Sequence, residues 1–194
     1  IDTILEHTAR LHTLLTNLLD LSRVHADAVH PLLETVDLGD VVATALIGLD
    51  RRGHPVEIDI GSDTPFVMAD PTLLDRALAN VIDNALKWSP DGAVVRIDAA
   101  RVGDDVALRV VDRGPGIPVG RRRDVTQPFQ RVDDGGGVEG TGLGLAVATA
   151  FLSHMGGQLS LEDTPGGGTT ATILLAVAPS AAEPVDADRT QVDS

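Results

Sequence analysis

Three groups of residues have the types and spacing that chemistry needs. In Asn80-Val81-Ile82-Asp83-Asn84-Ala85-Leu86-Lys87, residues Asn80, Asn84 and Lys87 stand at i, i+4 and i+7, one face of a helix. Asp83 lies one position round from that face. Asn is a poor helix former, so two of them on one helical face call for a reason. An amide oxygen is a hard neutral ligand suited to Mg²⁺, and a lysine ammonium suits phosphate. The same stripe would also serve an ordinary solvated face. The second group is Asp112-Arg113-Gly114-Pro115-Gly116-Ile117-Pro118, where glycines permit tight backbone close to a flat ligand. A carboxylate there can accept a hydrogen bond from an exocyclic amine. A plain turn leaving a sheet has the same composition. The third group is Gly140-Thr141-Gly142-Leu143-Gly144-Leu145, a glycine-rich start to a helix whose first amides can hold phosphate oxygens. It lacks the preceding strand of a dinucleotide fingerprint and the Lys-Ser/Thr ending of a P-loop.

Hydrophobic patterning supplies the elements that position these groups. Asp70-Pro71 opens a long helix, with Asp as N-cap and Pro at the first helical position. Its apolar positions are Leu73, Leu74, Ala77, Leu78, Val81, Ile82, Ala85 and Leu86, and Ser89-Pro90-Asp91-Gly92 ends it. Strands are expected at about 93–100 and 106–112, so the Asp112 turn leaves a strand end. Residues 113–140 hold seven Gly and three Pro without periodicity, a long loop of the kind that usually carries function. A helix from near Thr141 to about Met155 follows, then strands at 158–162 and 169–177.

Upstream, Leu33, Thr35 and Asp37 alternate like an edge strand, and Asp37 caps a helix to about Leu49. Val56, Ile58 and Ile60 alternate as a half-buried strand, and Phe66-Val67-Met68 is a short one. The chain begins in an amphipathic helix. Ile4, Leu11 and Leu18 repeat every seven residues, Leu14 and Leu21 complete the stripe, and Leu5, Leu15 and Leu19 widen it. That width suits a bundle. Helices and strands mix without strict alternation, so the fold class is α+β. The organisation expected is a helix at 1–27, a domain at 32–178 and an acidic Ala/Pro/Asp-rich tail at 179–194.

Composition narrows the function classes. The 194 residues carry a formal charge of −14, which disfavours gripping a nucleic-acid backbone. Cysteine is absent, which excludes disulfide scaffolds, thiolate zinc sites and cysteine nucleophiles. Apolar residues make up 43%, enough for a core. The one Lys and the one Trp are neighbours, Lys87 and Trp88. No stretch has the length of an apolar membrane span, and no signal peptide is visible. An opening inside an amphipathic pattern suggests a piece of something longer.

The order of the three groups closely resembles the ATP-binding domain of sensor histidine kinases. That family shares the Bergerat fold, a two-layer α/β sandwich, with gyrase, the mismatch-repair ATPases and a heat-shock chaperone. Asn80 to Trp88 resembles the N box, Asp112 to Gly116 the G1 box and Gly140 to Gly144 the G2 box. Pro128-Phe129-Gln130-Arg131 resembles the F box of a mobile lid, and Gly168-Thr169 the glycine-threonine before the last strand. Leu18 to Arg23 resembles the end of the second helix of the dimerisation and phosphoacceptor hairpin. Met155-Gly156-Gly157 and Glu162 to Gly168, with the F box, resemble the Kdp-type kinases that respond to potassium limitation.

The resemblance implies ATP and Mg²⁺ as ligands. It implies that Asp112 accepts the adenine amino group with help from Thr169, and that Gly114, Gly116 and Ile117 lie against the base. Asn84 would ligate Mg²⁺, Asn80 would sit beside metal and triphosphate, Lys87 would neutralise phosphate, and Trp88 would lie near the ribose. Gly140, Thr141, Gly142, Leu143 and Gly144 would meet the phosphates, and Phe129 and Arg131 the acceptor helix. Implied partners are an acceptor-histidine helix and a response regulator, in a homodimeric, membrane-anchored parent with this part cytoplasmic. His7 and His12 lack the acidic neighbour of an acceptor, and His25, His30 and His154 read as surface or packing residues. So the acceptor is expected elsewhere. A nucleotide-binding pseudokinase scaffold and an anti-sigma-type serine kinase are the other readings.

Overall fold

The computed structural model describes residues 2–26, 30–130 and 141–179. The expected acidic tail lies outside the described residues from 180 onward, as do Gly140 and Arg131. The side chains of residues 2–7, 9, 10 and 25 also lie outside them, and with them the expectations for Ile4, Leu5, His7 and His25.

Helix α1 spans Asp2–His25 and α2 spans Leu38–Ile47, with the three-residue strand β1, Glu34–Val36, between them. Strands β2, Val56–Asp59, and β3, Val67–Ala69, precede the long helix α3, Pro71–Trp88. Then come β4, Val95–Val102, β5, Asp105–Val111, helix α4, Gly144–His154, β6, Gln158–Asp163, and β7, Thr169–Ala176. Two short 3₁₀ turns, Val119–Arg121 and Asp124–Thr126, lie between β5 and α4.

Five strands form one sheet in the order β2-β4-β5-β7-β6, and β1 pairs with β3 in a separate ribbon. The β2–β4 pair is parallel and the other ladders of the sheet are antiparallel. A Val67–Val177 bridge ties the ribbon to the chain leaving β7. Helices α2, α3 and α4 pack in one layer over the sheet, the two-layer α+β sandwich expected.

Local chemistry explains where α3 begins and which face it buries. Asp70 Oδ1 accepts the amides of Thr72 and Leu73 at 3.0 Å, and Pro71 follows at the first helical position. Asp70 Oδ2 accepts the Leu32 amide at 2.9 Å, so one carboxylate also anchors the approach to β1. All eight apolar positions of α3 are buried. The sheet supplies the facing surface through Val95, Ile97, Leu108, Val110 and Ile173.

Three expectations shift. In β1 the inward residue is Val36, while Leu33 and Thr35 face solvent. On β2, Ile58 keeps the register of buried Ile97 yet is 50% exposed, because β2 is an edge strand of the sheet among the described residues. On α1 the docked face carries Leu14, Asn17, Asp20, Leu21 and Val24, while Leu11, Leu15, Leu18 and Leu19 remain exposed. The seven-residue seam through Leu11 and Leu18 is therefore not the face that meets α4.

Candidate active site

The polar side of α3 faces a cavity of about 720 Å³, within the range of small-molecule sites. Asn80, Asp83, Asn84, Lys87 and Trp88 line it from that one helix. Asn80 Nδ2 donates to the Arg76 carbonyl at 2.9 Å, one turn back. This fixes the amide orientation and turns Oδ1 toward α4, where a Cβ on Gly144 would lie 3.1 Å from it. Gly144 thus lets the first turn of α4 abut the asparagine. Leu143, at the N-cap of α4, offers no side-chain acceptor, so the amides of that turn carry no cap. Gly142 holds φ +67, and its carbonyl accepts the Phe129 amide at 3.0 Å.

The opposite end of the cavity is built where β5 and β7 run out. Asp112 is 5% exposed. Its Oδ1 accepts two amides, from Gly114 at 2.8 Å and Thr169 at 2.9 Å. The Asp112 amide in turn donates to the Thr169 carbonyl at 2.9 Å. Gly168, at φ +111, makes this approach possible, since a Cβ there would run into the Asp112 carbonyl. Gly116 holds φ +80 over the Gly168 carbonyl. Burial raises the Asp112 pKa above the ordinary aspartate value, and the two amides and the Arg113 charge offset part of that rise.

The cavity gathers Asn80, Asn84, Lys87, Trp88, Asp112 and Gly116, and with them Ile117, Thr141, Gly142, Gly144 and Thr169. Two residues expected at the nucleotide do not line it. Gly114 lies behind the wall, 2.7 Å from its would-be Cβ to the Trp88 carbonyl. The Leu143 side chain is 1% exposed and belongs to the core. Phe129 is 65% exposed, at φ +62.

Several lining residues carried no motif. Arg76 is one helical turn before Asn80, a spacing that could have revealed it. From α1 come Thr13, Thr16, Asn17 and Asp20. Asn17 and Asp20 are polar residues inside a leucine-rich face, which was the available signal. Asp20 is 4% exposed, and the Arg76 guanidinium bonds its Oδ1 at 2.7 Å while lying 5.9 Å from the Phe151 ring centre. The loop after α2 adds Gly48, Leu49, Asp50 and Arg52, which only the tertiary fold brings here.

Among the described residues, no group of three or more His, Cys, Asp or Glu could cage a metal. The donors present, neutral amides at one end of a long cavity, fit Mg²⁺ that arrives on a phosphate ligand and keeps most of its own oxygen shell.

Comparison with known proteins agrees with this geometry. Residues 69–179 match the family model described as histidine kinase-, DNA gyrase B-, and HSP90-like ATPase. The sensor protein KdpD of Rathayibacter rathayi is 46% identical over 181 residues, 93% of this chain. The chain spans 21% of that relative's length. The solved structure of the mycobacterial sensor histidine kinase MprB is 33% identical, with a TM-score of 0.67 over 77% of this chain and 100% of that one. Full-length ShkA, solved in complex with AMPPNP, is 26% identical, with a TM-score of 0.76 over 90% of this chain and 38% of that one. With boxes, cavity and likeness in agreement, the chain belongs to the histidine kinase-, DNA gyrase B- and HSP90-like ATPase family, as an ATP-binding catalytic domain of the sensor histidine kinase kind.

Proposed function

We propose that this domain holds ATP·Mg²⁺ and presents its γ-phosphoryl group to a histidine on an acceptor helix. The observation that carries this reading is one cavity joining the α3 stripe, the Asp112–Thr169 corner and the first turn of α4. Asp112 Oδ1 is already engaged by two amides, which leaves Oδ2 to accept the adenine amino group. Thr169 and Gly116 frame the base, and Trp88 lies beside the ribose. Asn84 and Asn80 take the metal-bearing phosphates, Lys87 adds positive charge, and the amides of Gly142 and Gly144 hold phosphate oxygens. Magnesium, when bound with the nucleotide, supplies charge neutralisation across the phosphates. Gly140 joins the phosphate-binding residues, and Phe129 and Arg131 belong to the lid and its approach to the acceptor.

An amide at residue 80 cannot act as a general base. Transfer to water is therefore slow, and the site holds ATP for a better nucleophile. An imidazole is its own nucleophile, so the protein's contribution is positioning and charge stabilisation. None of the six histidines is followed by an acidic residue. We place the acceptor on a hairpin of which α1 is the second helix, in a dimer served by a response regulator. The KdpD relatives support potassium signalling as the setting, and we place this part on the cytoplasmic side. Among the described residues no helix is long and apolar enough to cross a membrane.

The test is transfer from radiolabelled ATP to an added acceptor hairpin. Acid-labile label on the hairpin, and none on this chain by itself, is the expected result. Label on serine, or binding without transfer to any acceptor, would refute the proposal.

A further inference from the structure

Arg52 lies outside every motif, in the loop between α2 and β2. Its φ is +50, a left-handed conformation that a residue with a side chain adopts at a cost. The loop is pinned on both sides. Asp50 Oδ1 accepts the Arg52 amide at 2.9 Å, and the His54 amide donates to the Arg51 carbonyl at 2.8 Å. From this mount the guanidinium crosses to α3. It lies 3.0 Å from Asp83 Oδ1 and donates to the Asp83 carbonyl at 3.4 Å. The two side chains are 40% and 45% exposed. An ion pair so exposed adds little to folding, so fold stability does not account for the strained backbone.

The surroundings suggest another account. The cavity wall includes four carboxylates, Asp20, Asp50, Asp83 and Asp112. Each would repel a polyphosphate unless something covers it. Arg76 covers Asp20, and two amides bind Asp112. The remaining two are engaged by one residue, Asp50 through the Arg52 amide and Asp83 through its guanidinium. Asp83 immediately precedes Asn84 and stands one turn before Lys87.

We propose that Arg52 is a positioning residue for the nucleotide: it masks the Asp83 carboxylate beside Asn84, so that the triphosphate meets a wall without bare negative charge. This rests on the proposed nucleotide function. The guanidinium acts through Asp83, without touching the ligand.

Calorimetric titration of ATP·Mg²⁺, ADP·Mg²⁺ and adenosine tests it, with thermal melting of each variant. Arg52→Gly removes the guanidinium and suits the left-handed backbone, so its Tm should hold or rise. It should weaken ATP about threefold to tenfold, ADP less, and uncharged adenosine not at all. Arg52→Lys should retain most of the affinity. Asp83→Asn should bind at least as tightly as the unaltered chain. The Arg52→Gly/Asp83→Asn double variant should return to within about twofold of it, because nothing then needs masking. A double variant as weak as Arg52→Gly would mean direct contact and overturn the masking role. So would equal loss for adenosine, a lowered Tm or unchanged ATP affinity in Arg52→Gly. Failure of the unaltered chain to bind any nucleotide would instead overturn the nucleotide reading.

Discussion

Asp112 has a structural task and, in the proposed function, a ligand-binding one, and its two oxygens divide them. Oδ1 closes the turn to Gly114 and ties β5 to β7 through Thr169, while Oδ2 is left for a ligand. Alanine is therefore a poor probe. It strips the acceptor from two amides at about 1–3 kcal/mol each, so binding and stability fall together. Asparagine separates the roles, since its amide oxygen can keep both bonds while its NH₂ meets the adenine NH₂. Asp112→Asn should melt no lower than the unaltered protein and lose ATP binding, read by differential scanning calorimetry and titration. Burial raises the Asp112 pKa, so between the ordinary value and the raised one the folded chain binds more protons than the unfolded chain. Its contribution to stability falls as pH rises through that window. Nucleotide affinity moves the other way, being full above the raised pKa and lost below it. Titrations across the acid range should show that loss in the unaltered protein.

At the scale of elements, α3 was legible and α1 only half so. The N-cap, the proline and the eight apolar positions of α3 repeat at the helical period and need no partner to be read. On α1 both leucine-bearing faces are apolar, and periodicity could not say which one docks. Two polar residues decide it, because Asn17 and Asp20 belong to the cavity rather than to solvent. Arg52 was illegible for a related reason: it is 31 positions from Asp83, and only the sheet order brings them together. The Asp20–Arg76 ion pair ties α1 to the domain. Arg76 is partly exposed, so its loss should cost about 1–2 kcal/mol, below the figure for a fully buried pair. Asp20→Ala should speed amide exchange along 11–24 and leave β4, β5 and β7 protected, as measured by hydrogen-exchange mass spectrometry.

For the whole molecule the governing quantity is a charge of −14 around a site for an anion. In the proposed function, Mg²⁺, Lys87 and the uncapped amides of α4 supply the local attraction that must overcome the general field. Chelating Mg²⁺ with EDTA should weaken ATP binding at least tenfold and affect adenosine little, in the same titration. The same field should prevent DNA binding at physiological salt, which a mobility-shift assay checks. The chain's single tryptophan is the last residue of α3, and its carbonyl packs against Gly114 at the corner where Asp112 stands. All indole emission therefore arises at one cavity wall, with no tyrosine and no second tryptophan to dilute it. Site occupancy can be followed optically in real time, in the unlabelled protein, without adding a reporter.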